Sequence, residues 1–350
     1  MIKKFNYFLF SFLYPKPLKI AKPTKEEVTE VILNKKIYKI FCITYCRIYT
    51  DTIHTFGLIK NKNLIEGPSY QIVNNNFSDI KKNQILKIGT PRLNKKLKGP
   101  IFVMLTGGGG NNNYFHWLFD VLPRLKLINS LIELRKIRYF LMPETKHKFQ
   151  IETLKILNIR NKCLPSNNYR HIFSDKIITT SHPYVFSKNS TIDEQKIPYW
   201  ISLWLKENFL KYKSKKKFFD KIFIDRKQKS GENRVISNNE EVKNFLKDKG
   251  FVPLYLEDYS FKEQVGIFNQ ANIIMGLHGA GFANLVFCRK GTKIIEILNN
   301  TTGDQIKNLA LANKLLYYRI IGRTKQKTKD QQGVFEVSLN QLKKRLNPII

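Results

Sequence analysis

Several features that classify many proteins are scarce in this 350-residue sequence. Its four cysteines include no C-x-x-C pair. Cys42 and Cys46 lie in the β-branched, aromatic segment FCITYC, where alternation along a strand places both side chains on one face. We interpret them as packing residues rather than half of a metal site, and we expect a reduced, cytoplasmic protein.

Long hydrophobic runs are also missing. The segment MIKKFNYFLFSFLYPKP opens the chain with an apolar, aromatic run, but this run is shorter than the roughly 20 residues that span a bilayer. It also lacks the small-residue cleavage site of a signal peptide. Residues 1–30 therefore form an N-terminal segment with two alternatives: contact with an anionic membrane surface, with its lysines at the headgroups, or packing on the protein body.

Acidic residues are few, since 27 Asp and Glu stand against 61 Lys and Arg, which gives a formal net charge of +34. This excess favours anionic partners such as nucleic acid, anionic lipid or phosphorylated ligands. The lysines are scattered among many Asn and Ile, as in proteins from AT-rich genomes, so composition alone also explains the charge. No D-x-D motif and no histidine–carboxylate cluster with metal-ligand spacing occurs, and we expect no dedicated metal or other cofactor.

The pattern that is present is that of an α/β protein. Residues 31–105 predict short strands, among them KIYKIFCITYC, TFGLIK, SYQIV, QILKIG and IFVML. From about residue 100, strands and helices alternate, which is typical of parallel sheets. The lysine-rich stretch KYKSKKKFFD, interpreted as a solvated segment, predicts a boundary between domains at 31–212 and 213–350.

The most informative segment of the second domain is MGLHGAGFANLVFC. A predicted strand leads into a glycine-rich turn, and the turn leads into a short helix. A helix N-terminus at the carboxyl end of a parallel strand suits phosphate, and the glycines would let the backbone approach it closely. His278 adds a side-chain donor. The spacing matches neither G-x-G-x-x-G nor a P-loop.

Charged residues occur at two other strand ends in this domain. Arg226 and Lys227 follow KIFID, and Arg234 lies beyond; such cations would pair with a diphosphate. Glu296 interrupts the apolar strand KIIEIL, where a carboxylate needs partners. Two roles are open for it: accepting hydrogen bonds from sugar hydroxyls such as those of a ribose, or pairing with a buried arginine.

In the first domain, TGGGGNNNYFHWLFDVLPRL combines a glycine and asparagine loop with a largely apolar helix. His116 and Asp120 are four residues apart and share one helical face, which Arg124 continues if the helix survives Pro123. Core packing is the ordinary role of a lone histidine. A His–Asp pair after a loop favours a general base, with the aspartate orienting the imidazole.

At these residues the chain resembles glycosyltransferase family 61, also called DUF563 or the capsular polysaccharide biosynthesis family. The resemblance rests on NYFHWLFDVLPRL, IDRKQKSGENRVISNNEEV, FKEQVGIFNQANIIMGLHGAGFANLVFC and GTKIIEI, in this order over about residues 100–300. It implies a GT-B type α/β fold, with two Rossmann-like domains facing a cleft and, here, a β-rich N-terminal part. It also implies an inverting, metal-independent transferase that uses a nucleotide sugar, usually UDP-linked.

The resemblance assigns roles to particular residues. It places His278, Gly279, Ala280, Gly281 and Asn284 in the nucleotide-sugar site, Arg226 at the diphosphate, Glu296 at the ribose, and His116 and Asp120 towards the acceptor. We expect His116 to be the base, with Asp120 acting alone as the alternative. Where the family often shows Ser-Arg-Arg, this chain has Asp225-Arg226-Lys227, and where it often shows Asn-Glu, this chain has Asn238-Asn239.

The expected partners are a nucleotide-sugar donor and a saccharide acceptor. A lipid-linked acceptor, as in capsule or lipopolysaccharide synthesis, would place the enzyme peripherally on the inner face of the cytoplasmic membrane. An epimerase or a polysaccharide pyruvyltransferase on the same fold is an alternative. A basic nucleic-acid binder is a further one, although the sequence contains no recognised nucleic-acid module.

Overall fold

The computed structural model describes residues 9–10, 12–52, 55–70, 72–73, 76–106, 113–183, 197–227, 234–324 and 333–350. The chain divides into two compact units, residues 1–194 and 195–350. This division lies 18 residues before the predicted boundary (212 − 194), because the helix Tyr199–Phe209 belongs to the second unit. The functional assignment of the two domains stays a prediction.

The first unit is built on one large mixed sheet with helices after its parallel strands. Its strands are β1 (Lys19–Ala21), β2 (Val28–Leu33), β3 (Lys36–Thr52), β4 (Thr55–Lys60), β5 (Asn63–Ile65), β6 (Ile72–Val73), β7 (Asn76–Phe77), β8 (Lys95–Val103), β9 (Tyr139–Met142), β10 (Cys163–Pro165) and β11 (His171–Thr180). Its helices are α1 (Gln84–Ile88), α2 (Tyr114–His116, continued by a π-helix at Trp117–Val121), α3 (Arg124–Asn129) and α4 (Lys148–Ile156).

The large sheet has the strand order β1-β5-β4-β3-β11-β8-β9-β10, and β2 also pairs with β3. Strands β2 to β5 pair antiparallel, whereas β11, β8, β9 and β10 run parallel. The chain passes from β8 to β9 on one side and returns with β11 on the other. The carboxyl ends of β8 and β11 therefore flank a topological switch point, where open α/β sheets bind ligands.

One predicted strand of this unit is wrong. QILKIG forms the helix α1, not a strand, because Asn83 caps its first turn by accepting a hydrogen bond from the amide of Ile85 at 3.0 Å. Gly89 ends the helix with a φ of +69°, a conformation that favours glycine. The predicted strands TFGLIK and IFVML correspond to β4 and to the end of β8.

The second unit alternates strands and helices as the sequence predicts. Its strands are β12 (Lys221–Asp225), β13 (Arg234–Ile236), β14 (Val252–Tyr255), β15 (Ile273–Leu277), β16 (Lys293–Leu298), β17 (Leu316–Ile321), β18 (Arg323–Thr324) and β19 (Gly333–Glu336). Its helices are α5 (Tyr199–Phe209), α6 (Asn239–Asp248), α7 (Phe261–Gln270), α8 (Gln305–Ala312), α9 (Leu339–Leu346) and a 3₁₀ helix at Ala280–Phe287.

The main sheet of this unit is fully parallel, with the order β14-β12-β15-β16-β17. Its strands are nearly continuous apolar runs because helices cover both faces. On one face, Phe223, Met275 and Ile295 pack against the apolar sides of α6 and α9. The strand order reverses between β12 and β15, which creates a second switch point. The predicted α/β class is confirmed, and the GT-B arrangement stays a prediction.

None of the helices in the described ranges is both long enough and apolar enough to cross a membrane. The glycine and asparagine loop at 107–112, a part of the N-terminal segment (residues 1–8 and 11) and part of the loop after Lys227 (228–233) lie outside the described residues.

Candidate functional site

The switch point of the second unit brings together two arginines that are separate in sequence. Arg226 directly follows β12, His278 directly follows β15, and Arg234 begins β13. The guanidinium groups of Arg226 and Arg234 donate to the same carbonyl oxygen, that of His278, over 2.6 and 3.3 Å. Cations therefore meet at this edge of the sheet. Paired guanidiniums have the geometry to bind phosphate oxygens in a bidentate manner.

Lys227, the third predicted cation, has a different neighbour. Its ammonium group donates to Asp258, and both side chains are roughly half exposed, at 44% and 49%. Such an exposed ion pair contributes little to stability. The structure therefore joins Arg226 and Arg234 at the strand ends and places Lys227 beside Asp258.

The glycines of the turn make room for neighbouring side chains of the protein. A Cβ on Gly279 would lie 1.9 Å from Nη2 of Arg226, and a Cβ on Gly281 would lie 2.8 Å from Cδ1 of Leu256. The space beside these glycines is filled by side chains of the protein itself. They make room for the arginine and for packing, and Ala280 then begins the 3₁₀ helix. The close approach of a phosphate to this turn stays a prediction.

His278 and Glu296 form a buried pair next to the arginines. The Nδ1 atom of His278 is hydrogen-bonded to one carboxylate oxygen of Glu296, and the hydroxyl of Tyr317 donates to the other. Glu296 is only 1% exposed. Burial, followed by the negative charge of Glu296, raises the pKa of Tyr317 above its usual value, which keeps the phenol protonated as a donor. The partners of Glu296 are thus a histidine and a tyrosine, not the buried arginine of the alternative role.

The switch point of the first unit carries a second histidine–carboxylate pair. Nδ1 of His116 lies 2.8 Å from Oδ2 of Asp120, as the i, i+4 spacing predicts. Nε2 of His182, which follows β11, lies 3.7 Å from the same oxygen. Asp120 and His182 are both buried, whereas the His116 side chain is 21% exposed and is the accessible member.

The electrostatics of this cluster favour an ionised aspartate. Burial would raise the pKa of Asp120, but the charge and hydrogen bond of His116, together with His182, outweigh burial and hold this pKa below its usual range. A carboxylate with a lowered pKa is a weak proton acceptor. It is well suited to orient an imidazole.

A π-helical turn positions Asp120. The amide of Leu122 bonds to the carbonyl of Trp117 five residues earlier, at 3.1 Å. Pro123 has no amide hydrogen and cannot make the ordinary helical hydrogen bond to the carbonyl of Phe119. The wider π-helical turn accommodates this missing bond, and the chain continues into α3. The kink that Pro123 predicts takes this form.

His182 is a residue that sequence reasoning missed. Its signal was its position, two residues after the strand HIFSDKIITT, because the carboxyl ends of parallel strands meet at one edge. Tyr317 was missed as well, and only the register between β16 and β17 brings it to Glu296.

Arg124 lies in the core and ties the two strands of the first switch point together. It is fully buried, and its guanidinium donates to the carbonyl of Leu105 after β8 and to the carbonyl and hydroxyl of Thr180 in β11. Tyr70 and Asp120 also interact with it favourably. It therefore continues the polar stripe of the helix as a structural clamp.

We expect Arg124→Met to lower the free energy of unfolding by about 3–5 kcal/mol, because buried carbonyl groups lose their donor. Thermal unfolding should then occur on the order of 10 °C lower. Arg135→Ala is the matched control: the Arg135 side chain is 80% exposed and pairs with Glu133, which is itself half exposed, so its melting temperature should stay at the parent value. Equal melting temperatures for all three proteins would contradict the clamp.

Comparison with known proteins identifies the family. The family model for glycosyltransferase 61 matches residues 114–295, just over half of the chain. The chain belongs to glycosyltransferase family 61. The matched range includes His116, Asp120 and His278. It ends one residue before Glu296, the partner of His278. The resemblance seen in the sequence is therefore confirmed, and the protein is a glycosyltransferase.

None of the curated proteins matches this family 61 chain. Among solved structures, the crystal structure of the bacterial iron-containing dodecameric glycosyltransferase TibC from enterotoxigenic E. coli H10407 is similar over 90% of this chain and 86% of that one. The identity is 9% and the TM-score 0.34. At this TM-score the similarity supports no further conclusion about the present chain.

The two departures from the usual family 61 pattern meet in the structure. Nδ2 of Asn239 donates to Oδ1 of Asp225 at 3.0 Å, and the ammonium of Lys243 lies 3.4 Å from the other carboxylate oxygen. The carboxylate of Asp225, at the end of β12, is thus buried against α6 beside the ammonium of Lys243. Asp225 also accepts from the amide of Arg226 at 2.8 Å, so this pair supports the arginine.

Asn284 lies behind the turn. It is fully buried, and its amide donates to the side chain of Gln264 at 3.0 Å and to the carbonyl of Gly281 at 3.3 Å. It therefore fastens the 3₁₀ helix to α7. Its contact with a nucleotide stays a prediction, as does that of Glu296 with a ribose.

Proposed function

We propose that this protein is an inverting glycosyltransferase that moves a sugar from a nucleoside diphosphate donor, UDP-linked in the first instance, to a hydroxyl of a saccharide acceptor in surface polysaccharide synthesis. The observation that carries the proposal is the meeting of Arg226, Arg234 and the His278–Glu296 pair at the switch point of the second unit. A GT-B arrangement, with the acceptor bound by the first domain across a cleft, is part of the proposal.

The reaction is a single in-line displacement. The acceptor oxygen attacks the anomeric carbon while the bond from that carbon to the phosphate oxygen breaks. The acceptor proton passes to a base, and the nucleoside diphosphate leaves with the bonding electron pair. The configuration at the anomeric carbon is inverted because attack and departure occur on opposite faces.

The second unit would stabilise the leaving group. Arg226 and Arg234 supply positive charge that is already in place, because the His278 carbonyl fixes both guanidinium groups. The N-terminus of the 3₁₀ helix adds backbone donors. Glu296, which accepts a hydrogen bond from Tyr317, holds the His278 imidazole, whose Nε2 we assign to the donor. We leave the ribose contact of Glu296 as the less favoured role, since both of its oxygens have partners within the chain.

The first unit would supply the base. His116 is the better candidate, because it is the accessible member of its cluster and Asp120 engages its Nδ1 atom. Asp120 acting alone is disfavoured by its burial and its lowered pKa. Proton transfer by a positioned group of this kind contributes about 10²–10⁴-fold to rate.

We propose metal-independent catalysis, with the positive charge supplied by the arginines. We also propose a lipid-linked acceptor, as in capsule or lipopolysaccharide synthesis, and a cytoplasmic enzyme held peripherally on the inner face of the membrane.

Thermal shifts with UDP, GDP, dTDP, CDP, ADP and a short DNA, at physiological salt, test the donor site. A ligand that binds only the folded protein adds about 2.7 kcal/mol at 100 times its dissociation constant. The proposal predicts a selective response to one diphosphate that Arg226→Ala abolishes. Equal responses to every nucleotide and to DNA, all erased by salt, would instead indicate nonspecific binding driven by charge.

Gly279→Ala should weaken donor binding without unfolding the protein. The new Cβ displaces the Arg226 guanidinium, while the extended backbone at residue 279 accommodates any residue. Losing one charge-assisted hydrogen bond corresponds to roughly a ten- to hundredfold rise in the dissociation constant of the diphosphate, measured by calorimetry.

The matched control is Gly291→Ala. Gly291 has a φ of +83°, and no atom lies within 4 Å of the position that a Cβ would take there. This change therefore strains the backbone by about 1 kcal/mol or more and leaves diphosphate affinity intact. If Gly279→Ala kept parental affinity, the guanidinium of Arg226 would not contact the donor.

A further inference from the structure

Residues 9–10 and 12–18 belong to a short segment that is fixed to the first unit at Tyr14 and at Leu18. The hydroxyl of Tyr14 accepts a hydrogen bond from the amide of Asn94 at 3.1 Å, and its ring packs edge-on against His171 at 4.8 Å. At the other end, the amide of Leu18 donates to the carbonyl of Lys62 at 2.8 Å, where β1 begins its pairing with β5.

The ring of Tyr14 packs between a neutral imidazole and a cation, since the guanidinium carbon of Arg47 lies 5.7 Å from its centroid. Burial lowers the pKa of His171 to about 4, so its imidazole is neutral beside Tyr14. Phe10 stacks on Tyr14 from the preceding turn, with 6.5 Å between ring centroids. The inward side of the segment is therefore occupied, and its orientation is set.

The outward side of the same segment is apolar and exposed. Leu9, Phe12 and Leu13 are 43%, 84% and 49% exposed, and their i, i+3, i+4 spacing places them on one side of the helical turn. Leu18 adds a fourth exposed apolar side chain, at 73%. We call these four residues the apolar ridge.

The surroundings of the apolar ridge are basic. Lys16, Lys19, Lys22 and Lys25 are all exposed, and they outnumber the nearby acidic residues, of which Glu27 is paired with Lys60 while Glu26 and Glu66 are exposed. A second copy of the chain would bring like charges together, because both copies carry these lysines and a net charge of +34. An anionic surface instead satisfies the lysines and the ridge together.

We propose that the apolar ridge inserts into the interface of an anionic lipid bilayer while the flanking lysines contact its headgroups. The ridge is too short to span the membrane, so it lies in the interface plane, as amphipathic anchors do. The proposal rests on the peripheral membrane location proposed above and names the contact that would produce it. It can be tested separately from the transferase activity, because no residue of either switch point takes part in it.

Sedimentation with lipid vesicles tests the proposal on the full-length protein. Vesicles of phosphatidylcholine alone are compared with vesicles of equal parts phosphatidylcholine and phosphatidylglycerol. We expect binding to the anionic vesicles only, weakened by salt. The double variant Phe12→Ser, Leu13→Ser should weaken it by roughly tenfold or more, since two buried apolar side chains are lost.

Ile32→Ser is the matched control, because Ile32 is equally apolar and 69% exposed on β2 of the same unit. It should bind vesicles like the parent, and all proteins should share one melting temperature. Equal binding by the double variant and the parent would overturn the proposal, as would absence of binding to anionic vesicles. If the parent protein self-associates but does not bind vesicles, and the double variant no longer self-associates, the apolar ridge would be a contact with a second copy of the chain instead.

Discussion

Replacing His116 by alanine is expected to lower kcat by about 10²–10⁴-fold, the contribution of a positioned base. The imidazole is the accessible member of a cluster in which Asp120 lies 2.8 Å from its Nδ1 atom. The affinity for the nucleoside diphosphate should not change, because the arginines that would bind it lie in the other unit. Turnover under donor saturation and calorimetry with the diphosphate measure the two effects separately.

Asp120→Asn distinguishes the two candidates for the base. If His116 is the base, the amide side chain introduced at position 120 keeps the shape of the site. It removes the negative charge that orients the imidazole and stabilises the imidazolium formed when His116 takes the proton, so kcat falls while some activity remains. The acidic limb of the pH–rate profile should also move to lower pH, because an imidazolium without its carboxylate loses its proton more readily. Normal turnover of His116→Ala, with complete loss in Asp120→Asn, would transfer the role to the aspartate.

Replacing Arg226 by alanine is expected to lower kcat/KM for the donor by about 10²–10³-fold, as when one preorganised donor to a developing charge is removed. Arg234→Ala should act in the same direction but less, since its contact with the His278 carbonyl is longer, at 3.3 Å against 2.6 Å. The positive charge matters most as the diphosphate departs. The loss should therefore fall on kcat as well as on KM.

Lys227→Ala is the matched control for the arginines. Lys227 is the next residue in the chain and carries the same charge, but its ammonium group pairs with Asp258 in an exposed position. We expect its loss to change kcat/KM by less than about threefold, consistent with the small energies of exposed ion pairs. A loss in Lys227→Ala as large as that in Arg226→Ala would mean that overall charge, and not the geometry at the strand ends, binds the donor.

The sequence predicted those parts of the site that depend on local spacing. His116 and Asp120 meet because they are one helical turn apart, and Arg226 and His278 were placed correctly because each follows a buried strand. The regular alternation in the second unit predicts its strands for the same reason. Apolar runs bounded by glycine and polar residues carry their own structural signal.

Contacts that depend on strand order and register could not be predicted in this way. Tyr317 reaches Glu296 only because β17 lies beside β16, and His182 reaches Asp120 only because β11 lies beside β8. Nothing in the local pattern states which strands are neighbours. The contact between Gly279 and Arg226 could not be predicted for a related reason, since the two residues are more than fifty positions apart in the sequence.

The most direct test of the central claim is to follow the reaction by NMR, with the protein, a panel of nucleotide sugars and saccharide acceptors. We expect that one nucleotide sugar is consumed only when an acceptor is present, that nucleoside diphosphate and glycoside form in equal amounts, and that the new linkage has the inverted anomeric configuration. Conversion of the nucleotide sugar to an epimer without an acceptor, or formation of a glycoside with retained configuration, would contradict it.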